Sequence, residues 1–290
     1  MLNIGFIGFG EAASQISLGL SKNATVNIFA YDILINDPEK KPVLQERASQ
    51  YNVTLCSSIA DLMSQVEIVF STVVASVAEK VANETVPYLK GTHIYVDLNA
   101  ITPGMSERIA QIVEKPGAVY VDGAMVGSLK ALKHKVPILI SGEGVDILAE
   151  KIEPLGFNLS IVGKKPGTAS GNKLIRSVFT KGLAALLIET LVYAKKLGYY
   201  DVVLESMIKT LKADPADLIG RLVSGTMLHS QRRIGELTGS QEMLEDAELE
   251  SSMIKATLSV LKNVNCLDVD HSEISTDIES SIELLSLYKH

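Results

Sequence analysis

Along the first 163 residues or so, apolar residues come in short β-branched runs separated by segments of helical spacing. The runs "LNIGFIG", "TVNIFAYD", "EIVFSTVV", "HIYVDLN", "AVYVDGAM", "PILISG" and "NLSIVG" each read as a strand. Strands alternating with helices predict βαβ units, and so a parallel sheet covered by helices on both faces. From about residue 168 the period becomes helical throughout. "SGNKLIRSVFTKGLAALLIETLVYAKKLG" predicts one long helix with Gly198 just past its end. Further helices are expected near 201–212, 215–236, 240–262 and 270–288, starting at Asp201, at Asp214 before Pro215, and at Ser240. Glycine and proline cluster in "VGKKPGTASG", which places a boundary between a first domain at 1–165 and an all-helical domain at 166–290.

The first strand runs into "GFGEAA", Gly8 to Ala13, and then into a helix. In that context G-x-G-x-x-A has a physical meaning. Gly8 permits a tight turn, Gly10 lets a ligand approach the backbone of Phe9, Gly10, Glu11 and Ala12, and Ala13 allows close helix–strand packing. Amides at the helix start then face a pyrophosphate. Asp32 ends the second strand at the spacing where a carboxylate bonds both ribose hydroxyls, which favours NAD over NADP. Lys40 or Lys41 in "NDPEKK" leaves NADP open. The fold class expected is therefore an α/β Rossmann domain with a parallel sheet, followed by an all-α domain led by a long interdomain helix. Val73 and Val74, after the fourth strand candidate, are apolar candidates for the cofactor cleft.

Composition narrows the partners. With 47% hydrophobic and 21% charged residues the chain has the makeup of a well-buried globular protein, and a net charge of −7 gives no footprint for nucleic acid. A small molecule is the expected partner. No apolar run reaches a membrane span without a charge or breaker, the first residues do not resemble a secretory signal, and Cys56 and Cys266 form neither a C-x-x-C pair nor a disulfide framework. A cytoplasmic protein is expected. No His, Cys or carboxylate set has metal-site spacing, and no G-x-S-x-G elbow appears.

Three further stretches, "DLNAITP" (Asp97 to Pro103), "DGAMVGS" (Asp122 to Ser128) and "GNKLIRS" (Gly171 to Ser177), resemble in order the β-hydroxyacid dehydrogenases, which include 3-hydroxyisobutyrate and 6-phosphogluconate dehydrogenases. The likeness covers about two thirds of the chain, and "HSQRRIGELTGSQEMLEDAEL" resembles a 6-phosphogluconate-dehydrogenase-like branch with its own C-terminal domain. The resemblance implies that Lys173 is the acid/base group. Oxidation of an alcohol by hydride transfer independently needs a base for the hydroxyl proton and a cation for the developing alkoxide. It further implies that Val126, Gly127 and Ser128 hold the substrate carboxylate and that Asn99 stands beside the nicotinamide.

Where the family continues with asparagine four residues after the lysine, this chain has Arg176 and Ser177, both on the Lys173 face of a helix. Arg176 offers a fork for a carboxylate or phosphate, or a salt bridge within the helical domain. "LHSQRRIGE" sets His229, Arg232, Arg233 and Glu236 at helical spacing, either as a basic cluster at the site or as an exposed face with an Arg232–Glu236 pair. The resulting expectation is an NAD(P)-dependent dehydrogenase of a small anionic hydroxy acid, free or phosphorylated, forming a homodimer through the apolar helical domain. Reduction of an imine and a non-catalytic dinucleotide sensor or scaffold are the alternatives.

Overall fold

The computed structural model describes residues 1–267, 274–275 and 277–286. The chain divides into two compact units, Met1–Val178 and Phe179–His290, and the division falls inside the long helix.

The first unit holds eight strands: β1 (Leu2–Ile7), β2 (Val26–Tyr31), β3 (Val53–Leu55), β4 (Ile68–Ser71), β5 (Ile94–Asp97), β6 (Val119–Met125), β7 (Pro137–Ser141) and β8 (Asn158–Gly163). They form one sheet in the order β3-β2-β1-β4-β5-β6-β7-β8. Helices α1 (Glu11–Leu20), α2 (Lys41–Gln50), α3 (Ile59–Met63), α4 (Ala78–Thr85), α5 (Pro103–Glu114), α6 (Leu129–Leu132) and α7 (Val145–Ile152) link them. Two buried apolar clusters form, one built on Ile4, Phe6, Ile16 and Phe70, the other on Val69, Tyr95, Ile109 and Tyr120. Neighbouring strand residues such as Val69 and Phe70 fall into different clusters, as alternation across a sheet buried on both sides requires.

Two features depart from the sequence reading. β3 was not among the strand candidates: its three residues, Val53 to Leu55, are too few to show a period. The sheet is also not wholly parallel, because β7 runs antiparallel to β6. The link from Val126 to Val136 holds only α6 and a 3₁₀ turn, less chain than a crossover back to a parallel position needs.

The long helix α8 (Thr168–Lys196) carries the boundary between the units, and α9 (Tyr200–Leu211), α10 (Pro215–Asp246), α11 (Ser252–Asn265) and α12 (Ile278–Ser286) follow. Gly198, at φ +79°, ends α8 as expected, and Asp214 caps α10 through the amides of Ala216 and Asp217. Asp201 lies inside the first turn of α9 instead of capping it. The helix break expected before residue 240 falls near 247–251. The Ser240 hydroxyl donates back to the Glu236 carbonyl instead of capping a new helix, while Glu248 takes a positive φ and Ser251 caps α11. The helix expected at 270–288 lies partly outside the described residues. Among the described residues α8 alone is long and apolar enough, by length and composition, to cross a membrane. Its apolar stretch includes Lys181 and Glu189, and Glu189 accepts hydrogen bonds from the Ser251 hydroxyl and the Met253 amide.

Candidate functional site

The strand order reverses between β1 and β4, so the loops that leave these strands flank a crevice at the carboxyl edge of the sheet. Gly8 has φ +88°, and a Cβ there would stand 2.7 Å from the Thr72 carbonyl oxygen and 2.9 Å from Val73 Cγ1. Only glycine fits between these loops. The Thr72 hydroxyl donates to the Gly8 carbonyl at 2.7 Å. Gly10 is different: it is the N-cap of α1 without a capping side chain, and a Cβ on it would meet nothing within 4 Å. The first amides of α1 therefore start beside open space, with exposed Glu11 and half-buried Ala12 at its rim and Ala13 buried behind it. Such a cradle fits the pyrophosphate of a dinucleotide.

Asp32 closes the loop from the other side. One carboxylate oxygen accepts the Phe9 amide at 2.7 Å, and the other accepts the Leu34 amide at 2.9 Å. Phe9 acts through its backbone, since its ring is buried in the core. Arg47, which the sequence reading passed over, donates from Nη1 to the Phe9 carbonyl at 3.0 Å. Its signal was its place three residues after buried Leu44, on the side of α2 that faces the sheet. Lys40 pairs with Asp37 on the surface, Lys41 is exposed, Val73 packs against the second cluster, and Val74 is 67% exposed.

A second set of groups spans the strand ends, of which the sequence reading touched only Asp97 and Asp122, as the first residues of their stretches, and Asn99. "IVFS", "IYVD", "VYVD" and "ILIS" each end an apolar stretch with a polar residue, and the register aligns those residues in one row: Ser71, Asp97, Asp122 and Ser141. All four are fully buried. Burial, and then the charge of Asp122, push the Asp97 carboxyl up to about 7, against bonds from Asn99 that lower it. Asn99 is buried too; its amide nitrogen donates to Ser71 Oγ at 2.9 Å and its backbone N–H to Asp97 at 2.8 Å. Asp122 accepts from Ser141 Oγ at 3.0 Å, from the Ser170 amide at 3.0 Å and from the Ser170 hydroxyl at 2.6 Å.

Ser170 belongs to the first turn of α8, and half-buried Lys173 follows on the next turn, with Arg176 exposed and Ser177 half-buried. In the loop after β6 the Val126 amide donates to the Pro137 carbonyl at 2.8 Å, while Gly127 and Ser128 are exposed and Ser128 caps α6. In the helical unit, α10 kinks at exposed His229 (φ −127°, ψ 24°). Arg233 reaches back across the kink to the Thr226 hydroxyl and the Leu222 carbonyl, whereas Arg232 pairs with Glu236 at 3.6 Å on the surface. Arg232 and Glu236 thus form the exposed pair, while Arg233 is held against its own helix. Among the described residues no group of His, Cys, Asp or Glu could hold a metal.

The first unit is an NAD(P)-binding domain. Residues 3–101 match the family described as NADP oxidoreductase, coenzyme F420-dependent, and residues 194–264 match a domain of unknown function, DUF1932. The chain is 31% identical to an uncharacterized 28.5 kDa protein of Methanothermus fervidus over 91% of this chain and 99% of that one. It is 24% identical to the 2-(hydroxymethyl)glutarate dehydrogenase of Eubacterium barkeri over 71% of this chain and 68% of that enzyme. A solved protein of unknown function, MTH1747, described as structurally similar to 3-hydroxyacid dehydrogenases, superposes with a TM-score of 0.62 at 31% identity, covering 91% of this chain and 97% of its own. An imine reductase from Myxococcus stipitatus in complex with NAD+ shares the fold, with a TM-score of 0.75 at 15% identity over 98% of this chain and 99% of its own. The chain belongs to the β-hydroxyacid dehydrogenase family.

Proposed function

We propose that the protein is an NAD(P)-dependent dehydrogenase that interconverts a small hydroxy acid and its carbonyl form, with Lys173 as general acid/base. The observation that carries this reading is the place of Lys173, one turn after a residue bonded to Asp122 on β6, within the same unit as the glycine loop. When bound, the nicotinamide supplies the hydride acceptor or donor. Gly8, Gly10 and the first amides of α1 hold the pyrophosphate, and Asp32 faces the adenosine ribose. Lys173 takes the hydroxyl proton in oxidation and returns it in reduction, and its positive charge stabilises the alkoxide. Gly127, Ser128 and Arg176 bind the anionic end of the substrate. The carboxylate of Asp32 disfavours a 2′-phosphate, which supports NAD as the preferred dinucleotide.

The helical unit supports a homodimer. Phe179, Ile188 and Val202 are 64%, 64% and 76% exposed, more large apolar surface than a monomer normally leaves in water. A groove of about 360 Å³ lined by Leu186, Tyr193, Met243 and Ile254 adds to that surface. Sedimentation equilibrium at micromolar concentration should give twice the chain mass.

The deciding assay follows nicotinamide absorbance over a panel of free and phosphorylated hydroxy acids, with NAD and with NADP, for wild type and Lys173→Met. A turnover loss of about a hundredfold or more in Lys173→Met, with dinucleotide binding intact, supports the reading. An active Lys173→Met removes the lysine from the chemistry, and turnover of imines alone transfers the protein to the class whose fold it also shares.

A further inference from the structure

The start of α8 is capped by the sheet. The first amides of a helix have no acceptor inside it and usually find one on a nearby Ser, Thr, Asp or Asn of the same chain segment. Here two come from other strands: the Ala169 amide donates to Ser141 Oγ at 3.0 Å and the Ser170 amide to Asp122 at 3.0 Å. The Ser170 hydroxyl adds a second bond to Asp122, and Ser141 Oγ donates to that same carboxylate. Asp122 thus accepts from three donors and ties two successive residues of α8 to β6 and β7. A single bond would leave the helix free to roll; bonds to both residues fix its roll as well as its height.

This is an expensive way to cap a helix. Asp122 is fully buried and lies directly beside a second buried carboxyl, Asp97, in the ladder. Buried charge in such a setting is a poor source of stability, but it defines one geometry where apolar packing tolerates several. What lies downstream of the bonds is Lys173, about 4.5 Å further along the axis at 1.5 Å per residue.

We propose that Asp122, working with Ser141, is the positioning residue for Lys173: the pair sets the height and roll of the first turn of α8, and so the place from which the lysine amine meets the substrate hydroxyl. The proposal rests on the reading of Lys173 as the acid/base group. Its tests use variants that separate the two. Ser170→Ala removes one bond to Asp122 and leaves the backbone bonds intact; Asp122→Asn leaves a single acceptor oxygen where three donors converge.

In the full-length protein, Asp122→Asn should lower kcat about ten- to a hundredfold, the scale of a misplacement near 1 Å. Ser170→Ala should lower it less. The dinucleotide Kd, by calorimetry, should stay within about twofold of wild type in both. Each variant combined with Lys173→Met should lose no more than Lys173→Met alone, because a positioning residue has nothing left to position. A purely structural cap predicts losses that multiply. The second readout needs no turnover: the rate at which an amine-directed reagent labels Lys173 relative to exposed Lys181, followed by mass spectrometry, should change at least twofold in either variant. If Asp122→Asn does not fold, Ser170→Ala carries both measurements. Wild-type kcat, multiplying losses, or an unchanged labelling ratio overturns the proposal. An active Lys173→Met with an altered labelling ratio would sink the acid/base reading and keep the clamp.

Discussion

Alanine at Gly8 and alanine at Gly10 should act on different properties, although the glycines stand two residues apart in one loop. At Gly8 the backbone has φ +88°, which costs an L-residue about 1–2 kcal/mol. The added Cβ would also press on the Thr72 carbonyl at 2.7 Å, a backbone atom that cannot swing aside, and overpacking of this kind costs about 1–3 kcal/mol more. Gly8→Ala should therefore lose about 2–5 kcal/mol, or about 5–15 °C in Tm at the usual conversion for a domain of this size. At Gly10 φ is −82°, within reach of alanine, and the Cβ would meet nothing within 4 Å. Gly10→Ala should hold Tm or raise it slightly, since alanine restricts the unfolded chain by about 0.4–1 kcal/mol. The same methyl group fills the cradle at the start of α1, so dinucleotide Kd should weaken about ten- to a hundredfold, or about 1.4–2.8 kcal/mol. Thermal unfolding and calorimetric titration with NAD and NADP read the two effects. Wild-type affinity in a stable Gly10→Ala would refute the assignment of the cradle, and an unchanged Tm in Gly8→Ala would refute the steric argument.

Asp97→Asn should stabilise the protein at pH 8. The Asp97 carboxyl stands at about 7 in the fold, mainly through burial, and at 3.8 when unperturbed, so the folded state holds a proton that the unfolded chain releases first. Its contribution is fully present below pH 3.8 and disappears as pH rises through about 7; unfolding free energies of wild type and variant from urea titrations should converge near pH 4 and separate by about 1–3 kcal/mol at pH 8. In α10, Arg233→Ala should cost about 0.5–1.5 kcal/mol, because it removes the guanidinium bonds to the Thr226 hydroxyl and the Leu222 carbonyl that span the kink, while the Thr226–Leu222 bond remains. Arg232→Ala breaks only an exposed pair and should lie within about 0.5 kcal/mol of wild type by the same urea measurement.

The sequence made the glycine loop legible because one short segment contained a strand, a turn and a helix, with Asp32 at a fixed distance; there local chemistry determines structure. Lys173 was legible only through its neighbours in the family resemblance, since nothing local distinguishes it from a solvated lysine. β3 escaped for want of length. The direction of β7 escaped because the apolar pattern of a strand is the same either way, and only the shortness of the Val126–Val136 link shows it. Ser71, Asp97, Asp122 and Ser141 were each visible as a polar end to an apolar run, but their meaning lies in the register between strands, which no single run contains.

That row also explains how so exposed a helix keeps a defined place. Of the residues of α8, Ala169, Ser170 and Ala194 are the buried ones, and Ile175, Val178 and Ile188 are each more than 60% exposed. Apolar packing of that extent within one chain is a weak constraint on a helix this long. Directional bonds supply what packing does not: Asp122 and Ser141 at its first turn in the first unit, and, in the helical unit, Glu189 bonded to the Ser251 hydroxyl and the Met253 amide at the start of α11. In both places a side chain of one element completes the unfinished amides of another helix, a bond whose length and angle tolerate little slippage. The exposed apolar residues of α8 would then serve the proposed dimer, while the position of Lys173 is set within its own chain. It follows that polar substitutions at Ile188 and Val192 should reduce dimer formation without moving Lys173, whereas loss of a single hydroxyl at Ser170 should disturb the lysine and leave the dimer intact.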